Sequence, residues 1–124
     1  MSVRIIACGG HKYKDGAYVY ELLDYIHRTR VIAEIIRSND RGADQLIAAW
    51  AKSRGVPCTV IEAQRTTLGD KADEARNRSM LELKPDGMVA FPGDSDTGSL
   101  RKAAEAAGVP VHWVKWFGAD KASY

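Results

Sequence analysis

The sequence predicts an α/β domain built on a parallel sheet, and three observations carry that prediction. Short apolar runs rich in branched residues alternate with longer amphipathic segments along the chain, which is the sequence form of repeated strand and helix units. The runs are near-continuously apolar, as in "VRIIAC" at 3–8, the pattern of strands covered on both faces. Glycine, proline and small polar residues punctuate the junctions, as in "CGG", "NDRG", "RGVP", "KPDG" and "FPGDSDTG", where strands hand over to helices and helices stop. Five strands and four helices in alternation, joined by right-handed crossovers, give a three-layer doubly wound sheet.

Each element has its own signal. The first strand, 3–8, ends in Gly9 and Gly10. "YVYELLDYIHR" (18–28) sets Val19, Leu22, Leu23 and Ile26 on one helical face. A second strand, 31–38, runs into the turn cluster "NDRG". "ADQLIAAWAKSR" (43–54) spaces Leu46, Ile47, Trp50 and Ala51 helically, and Gly55 with Pro57 stops it. A third strand covers 57–63, and a helix over 69–84 carries Asp70 and Asp73 at its positive end and halts before Pro85. A fourth strand at 86–92, a helix at 99–108 closed by Gly108, and a fifth strand at 109–116 complete the alternation. Residues 1–117 form a single domain, and 118–124 are expected to be a loose tail.

Composition narrows the function classes. A net charge of +2 over 18 basic and 16 acidic residues provides no basic stripe for phosphate neutralisation along a nucleic acid. Cys8 and Cys58 sit inside apolar runs rather than at metal spacing, so both read as buried free thiols of a reducing compartment. No run approaches the ~20 apolar residues of a membrane span, and the expected location is the cytoplasm, with no membrane partner. The three histidines are scattered and no serine elbow is present, so no metal site is expected.

In an open parallel sheet, ligands bind outside the carboxyl ends of the strands, so the segments that follow them hold the candidates. Gly9 and Gly10 allow close backbone approach, Lys12 or Lys14 can neutralise a phosphate, and Tyr13 can stack on a base; a plain strand-to-loop turn with solvated lysines is the more ordinary reading of those residues alone. Gly42 and Ala43 open a helix whose N-terminal N–H groups favour an anion, whereas Asp44 either caps that helix or meets a ligand hydroxyl. Arg76 shares a helix face with Met80, either partly buried and suited to phosphate or solvated with its stem on the core. Gly93, Ser95, Thr97, Gly98 and Ser99 suit a phosphate cradle, but Asp94 and Asp96 repel a phosphate unless a cation intervenes.

Taken together, "CGGHKYKD", "RGADQLIAAWAKSRGVP", "KADEARNRSML" and "AFPGDSDTGSLRKAAEAAGVPV" resemble the YspA-like branch of the SLOG superfamily. These are Rossmann-like proteins related to the lonely-guy phosphoribohydrolases and to the DNA-processing protein DprA. The resemblance runs over residues 3–114 and implies a Rossmann-like domain with strand order 3-2-1-4-5. Gly9, Gly10, His11 and Tyr13 match its first motif, with histidine for the usual arginine; Gly42, Ala43 and Asp44 match its second, and Arg76, Asn77 and Met80 its third. Pro92, Gly93 and Thr97 match its proline-glycine motif, in which Asp94 and Asp96 replace glycines. The enzymes' motif continues to a glutamate that is absent here, where Gly98, Ser99 and Leu100 follow.

The expectation is therefore a domain that binds, and so senses, a nucleotide or nucleotide-derived small molecule at the carboxyl edge of its sheet; the absent glutamate leans against an enzyme and leaves that question open. Mg²⁺ is its possible companion with a nucleotide ligand, and the resemblance implies a homodimer. One alternative is a nucleotide or N-glycoside hydrolase in which Asp94 or Asp96 stands in for the missing glutamate. The other is a nucleic-acid or protein interaction module of the DprA kind.

Overall fold

A computed structural model describes residues 2–39, 41–63, 68–93 and 95–113. Its elements are β1 (Ser2–Cys8), α1 (Gly16–Thr29), β2 (Val31–Arg37), α2 (Ala43–Arg54), β3 (Cys58–Val60), a 3₁₀ turn (Gly69–Lys71), α3 (Ala72–Glu82), β4 (Gly87–Ala90), α4 (Ser95–Ala106) and β5 (Val111–Trp113). All strand pairs are parallel and the order is β3-β2-β1-β4-β5, a Rossmann-like arrangement whose direction of winding reverses between β1 and β4.

The sheet is buried on both faces, as the near-continuous apolar strands require. One core contains Val3, Ile5, Ile32 and Ile35 under Val19 and Leu23 of α1 and Ile47 and Trp50 of α2. The other contains Ile6, Ile36 and Met88 under Met80 of α3 and Leu100 and Ala104 of α4. Ile32 and Ile35 are three residues apart yet face the same core. The pairing shifts by one residue between Val3–Ile32 and Arg4–Glu34, and such an extra residue re-aims the strand that follows it.

Several boundaries differ from the sequence reading, each for a local reason. Helix α1 starts at Gly16 because the Asp15 carboxylate accepts the Tyr18 N–H at 3.1 Å, an N-cap that apolar periodicity does not reveal. The segment expected as one helix over 69–84 is a 3₁₀ turn followed by a shorter α-helix. Strand β3 keeps only three residues, as an edge strand starting after a proline that has no N–H to give. Helix α4 begins at Ser95 rather than Ser99. Small hydroxylated residues suit a loop and the opening of a helix alike, so the sequence alone does not separate the two. Residues 114–116, expected in β5, and the tail 118–124 lie outside the described residues.

Two polar clamps hold the layers together. Asp24 on α1 accepts the Trp50 indole N–H at 2.8 Å and Arg54 Nε and Nη2, each at 2.8 Å, from α2; the indole is fully buried and therefore needs that acceptor. Across the amino ends of the strands, Arg4 donates to Glu34 at 2.7 Å and to the Leu83 carbonyl at 2.6 Å, while Glu34 accepts the Thr59 hydroxyl. The Arg54 bonds and then the Trp50 bond hold Asp24 well below the usual carboxylate range, and Thr59 and then Arg4 lower Glu34. A carboxylate depressed in the folded state contributes stability that is complete above its unfolded pKa and is lost as pH falls below it. Urea midpoints are thus expected to hold from neutral pH to about pH 5 and then to drop through the ordinary carboxylate range, with a smaller drop in Asp24→Asn. An equal acid loss in that variant would remove Asp24 from the account.

Candidate functional site

The strands deliver three loops to one edge of the sheet, and their glycines let those loops interlock. A Cβ on Gly9 would lie 2.5 Å from the Ala43 Cβ and 2.9 Å from the Phe91 Cβ, and one on Gly10 would lie 2.7 Å from the Gly93 Cα. Gly42, at φ +68°, abuts the carbonyl oxygens of Gly10 and His11. The Gly10 N–H donates to the Pro92 carbonyl at 2.9 Å, and the Ala43 N–H to the Gly10 carbonyl at 3.1 Å. The close approach that Gly9 and Gly10 permit is therefore loop against loop, and these two N–H groups are engaged within the protein.

Around this knot, residues separate by burial. His11 and Lys12 are exposed at the turn, as are Lys14 and Arg41. Tyr13 is buried, with its ring 5.6 Å from that of Phe91, so an aromatic partner is already in place where a base was expected to stack. Gly42, not Asp44, occupies the N-cap of α2; Asp44 lies in the first turn with only 3% of its surface exposed. Asp94, and the side chains of Ser95 and Asp96, lie outside the described residues.

Among the described residues, the buried polar side chains are Ser38, Asp44, Arg76, Asn77 and Thr97. They come from the end of β2, the starts of α2 and α4, and α3, the elements that meet at this edge. Arg76 Nη1 donates to Ser38 Oγ at 3.1 Å and Nη2 to Asn77 Oδ1 at 3.3 Å, and Asp73 Oδ1 stands 3.6 Å from Nη1. The methionine face of α3 thus carries a buried guanidinium rather than a solvated one. Burial raises the Cys8 thiol, Asp44 raises it further, and Arg76 opposes them. Such a thiol is protonated and shielded at neutral pH; iodoacetamide is expected to label Cys8 only after denaturation, and native-state labelling at the unfolded rate would contradict this burial.

Ser38 and Asp73, read from the sequence only as the end of a strand and as a charge at a helix start, are not among the candidate site residues. Ser38 stands two residues beyond Ile36 on the strand, hence on the α3 side of the sheet, and Asp73 is one helical turn before Arg76. Leu100, which follows the proline-glycine motif, is 3% exposed in the core with Met80 and Met88. No group of three His, Cys, Asp or Glu side chains that could hold a metal ion occurs among the described residues. Nor is any helix there long and apolar enough to cross a membrane. A groove of about 880 Å³ between α3 and α4 has Asp73, Asn77 and Ser99 in its walls, so it shares Asn77 with the buried polar set and Asp73 with the surroundings of Arg76.

A doubly wound sheet with its buried polar side chains gathered beside the reversal of strand order is a Rossmann-like domain, the class that takes small ligands outside the carboxyl ends of its strands. Residues 3–67, more than half of the chain, match the family described as YAcAr: YspA, cpYpsA-related SLOG family, and the chain belongs to that family. The matched residues include Gly9 to Tyr13 and Gly42 to Asp44 and end before Arg76 and Pro92. No curated protein matches the chain. Membership of the family points to a nucleotide-related domain.

Proposed function

We propose that this domain binds a nucleotide or nucleotide-derived ligand at the carboxyl edge of its sheet, without cleaving it. One observation carries the reading: the buried polar side chains of the described residues converge on that edge. Burying polar groups is costly unless they meet partners, and a cluster of them around a guanidinium, at the reversal of strand order, suits an anionic ligand. Lys12, Lys14 and Arg41 add exposed positive charge beside it. Leu100 supports binding without hydrolysis, since a core-facing leucine cannot stabilise the cationic state of glycosidic cleavage. The reading includes a homodimer and, with a diphosphate-bearing ligand, a Mg²⁺ ion.

A thermal-shift screen against nucleoside monophosphates, ADP-ribose and related compounds, with and without Mg²⁺, tests the binding. A true ligand at 100 times its Kd is expected to stabilise by about 2.7 kcal/mol, and no shift across the panel would overturn the reading. Release of free base from a nucleoside 5′-monophosphate, followed by chromatography, would replace it with the hydrolase.

A further inference from the structure

The described contacts of Arg76 are unequal in burial and in distance. Ser38 and Asn77, which bond it at 3.1 and 3.3 Å, are themselves about as buried as the arginine, at 6% exposure each. Asp73 differs: its side chain is 29% exposed and its oxygen stands 3.6 Å away, beyond good hydrogen-bond distance. It also sits in the first turn of α3 together with Glu74, where the helix N-terminus favours carboxylates, so its charge stays stabilised when it turns away from Arg76. That turn follows the 3₁₀ segment opened by Gly69 at φ +54°, and Asp73 stands in the wall of the α3–α4 groove. Nη1 of the guanidinium thus meets a buried hydroxyl and, at longer range, a part-exposed carboxylate that stands in the groove wall.

We propose that Asp73 is a built-in counter-ion that an incoming ligand displaces from Arg76, and that it makes the site select phosphate dianions over carboxylates. The inference rests on the nucleotide-binding reading above and adds to it the charge that the ligand must carry. Exchanging one singly charged carboxylate for another on the same cation gains no net Coulomb attraction. A phosphate monoester, with a charge of about −1.5 to −2 at neutral pH and three acceptor oxygens, does gain, and its oxygens match the guanidinium fork. Asp73 therefore weakens all anions while excluding the singly charged ones.

The test compares wild type with Asp73→Asn by titration calorimetry, using AMP, ADP-ribose, inorganic phosphate, adenosine and adenosine 5′-carboxylate as probes. Wild type is expected to bind a phosphate-bearing probe and to ignore the carboxylate. Asp73→Asn is expected to bind that phosphate about tenfold more tightly, to acquire measurable affinity for the carboxylate, and to leave adenosine unchanged. Asp73→Ser serves in its place should the asparagine variant not fold, and Asp73→Glu, which keeps the charge, should show no tightening. If wild type binds phosphate and the neutral variants bind it no better, this inference alone falls. If neither wild type nor variant binds any phosphate-bearing probe, the nucleotide reading falls and takes the inference with it.

Discussion

Replacing Gly42 by alanine is expected to destabilise the domain by about 4 kcal/mol or more, a large part of the roughly 5–15 kcal/mol that holds a domain of this kind folded. Gly42 combines φ +68° with ψ −119°, a backbone geometry that residues with a Cβ rarely adopt. Its added methyl would also run into the carbonyl oxygens of Gly10 and His11, which are backbone atoms and cannot swing aside. Gly55 provides the control. It has a similar φ of +69° but a ψ of 26°, an ordinary left-handed helix cap, and nothing within 4 Å of an added Cβ. Gly55→Ala should therefore cost only about 1 kcal/mol. Urea unfolding of the two variants separates local strain from collision, and similar midpoints would contradict the interlocking of the loops.

The second large effect is expected from Arg76→Met, which keeps length but removes the fork. Ser38 and Asn77 would lose their donor, and Asp44, 3% exposed, would lose a nearby cation. Breaking a buried charge constellation by deleting one member costs about 3–5 kcal/mol, whereas Ser38→Ala, which removes a neutral acceptor, should cost about 1 kcal/mol. Arg76→Lys keeps the charge without the planar fork and should fall between them. All three are measured by urea unfolding, and binding is then measured on those that remain folded at assay temperature. An Arg76→Met protein as stable as wild type, with phosphate affinity intact, would remove Arg76 from both the architecture and the site.

These predictions turn on residues that were legible in the sequence to different degrees. Gly42, Ala43 and Asp44 were recognisable as a helix start because glycine followed by a carboxylate in a first turn is a local signal. That the Ala43 N–H is engaged by Gly10 was not, because the partner lies across the β1–α1 loop. Arg76 could be placed on the methionine face by spacing alone. Its burial could not, because it depends on Ser38, 38 residues earlier, reaching the same point from the end of β2. Tyr13 shows the reverse. An aromatic after a glycine pair reads as a ligand contact, but here Phe91, from another strand end, takes its ring into the core.

What the sequence determined by itself was the succession of elements and the class of fold. Apolar runs, helical spacing and glycine-proline punctuation are properties of adjacent residues, and the right-handed crossover rule converts their alternation into a doubly wound sheet. Tertiary structure alone decided which polar residues would be buried, and with which neighbours. Burial at the carboxyl edge arises where the ends of β2, α2, α3 and α4 converge, and the charge balance around Arg76 is a sum over residues from separate segments. Electrostatic and packing energies depend on distances in space, and between elements those distances exist only once the sheet has assembled.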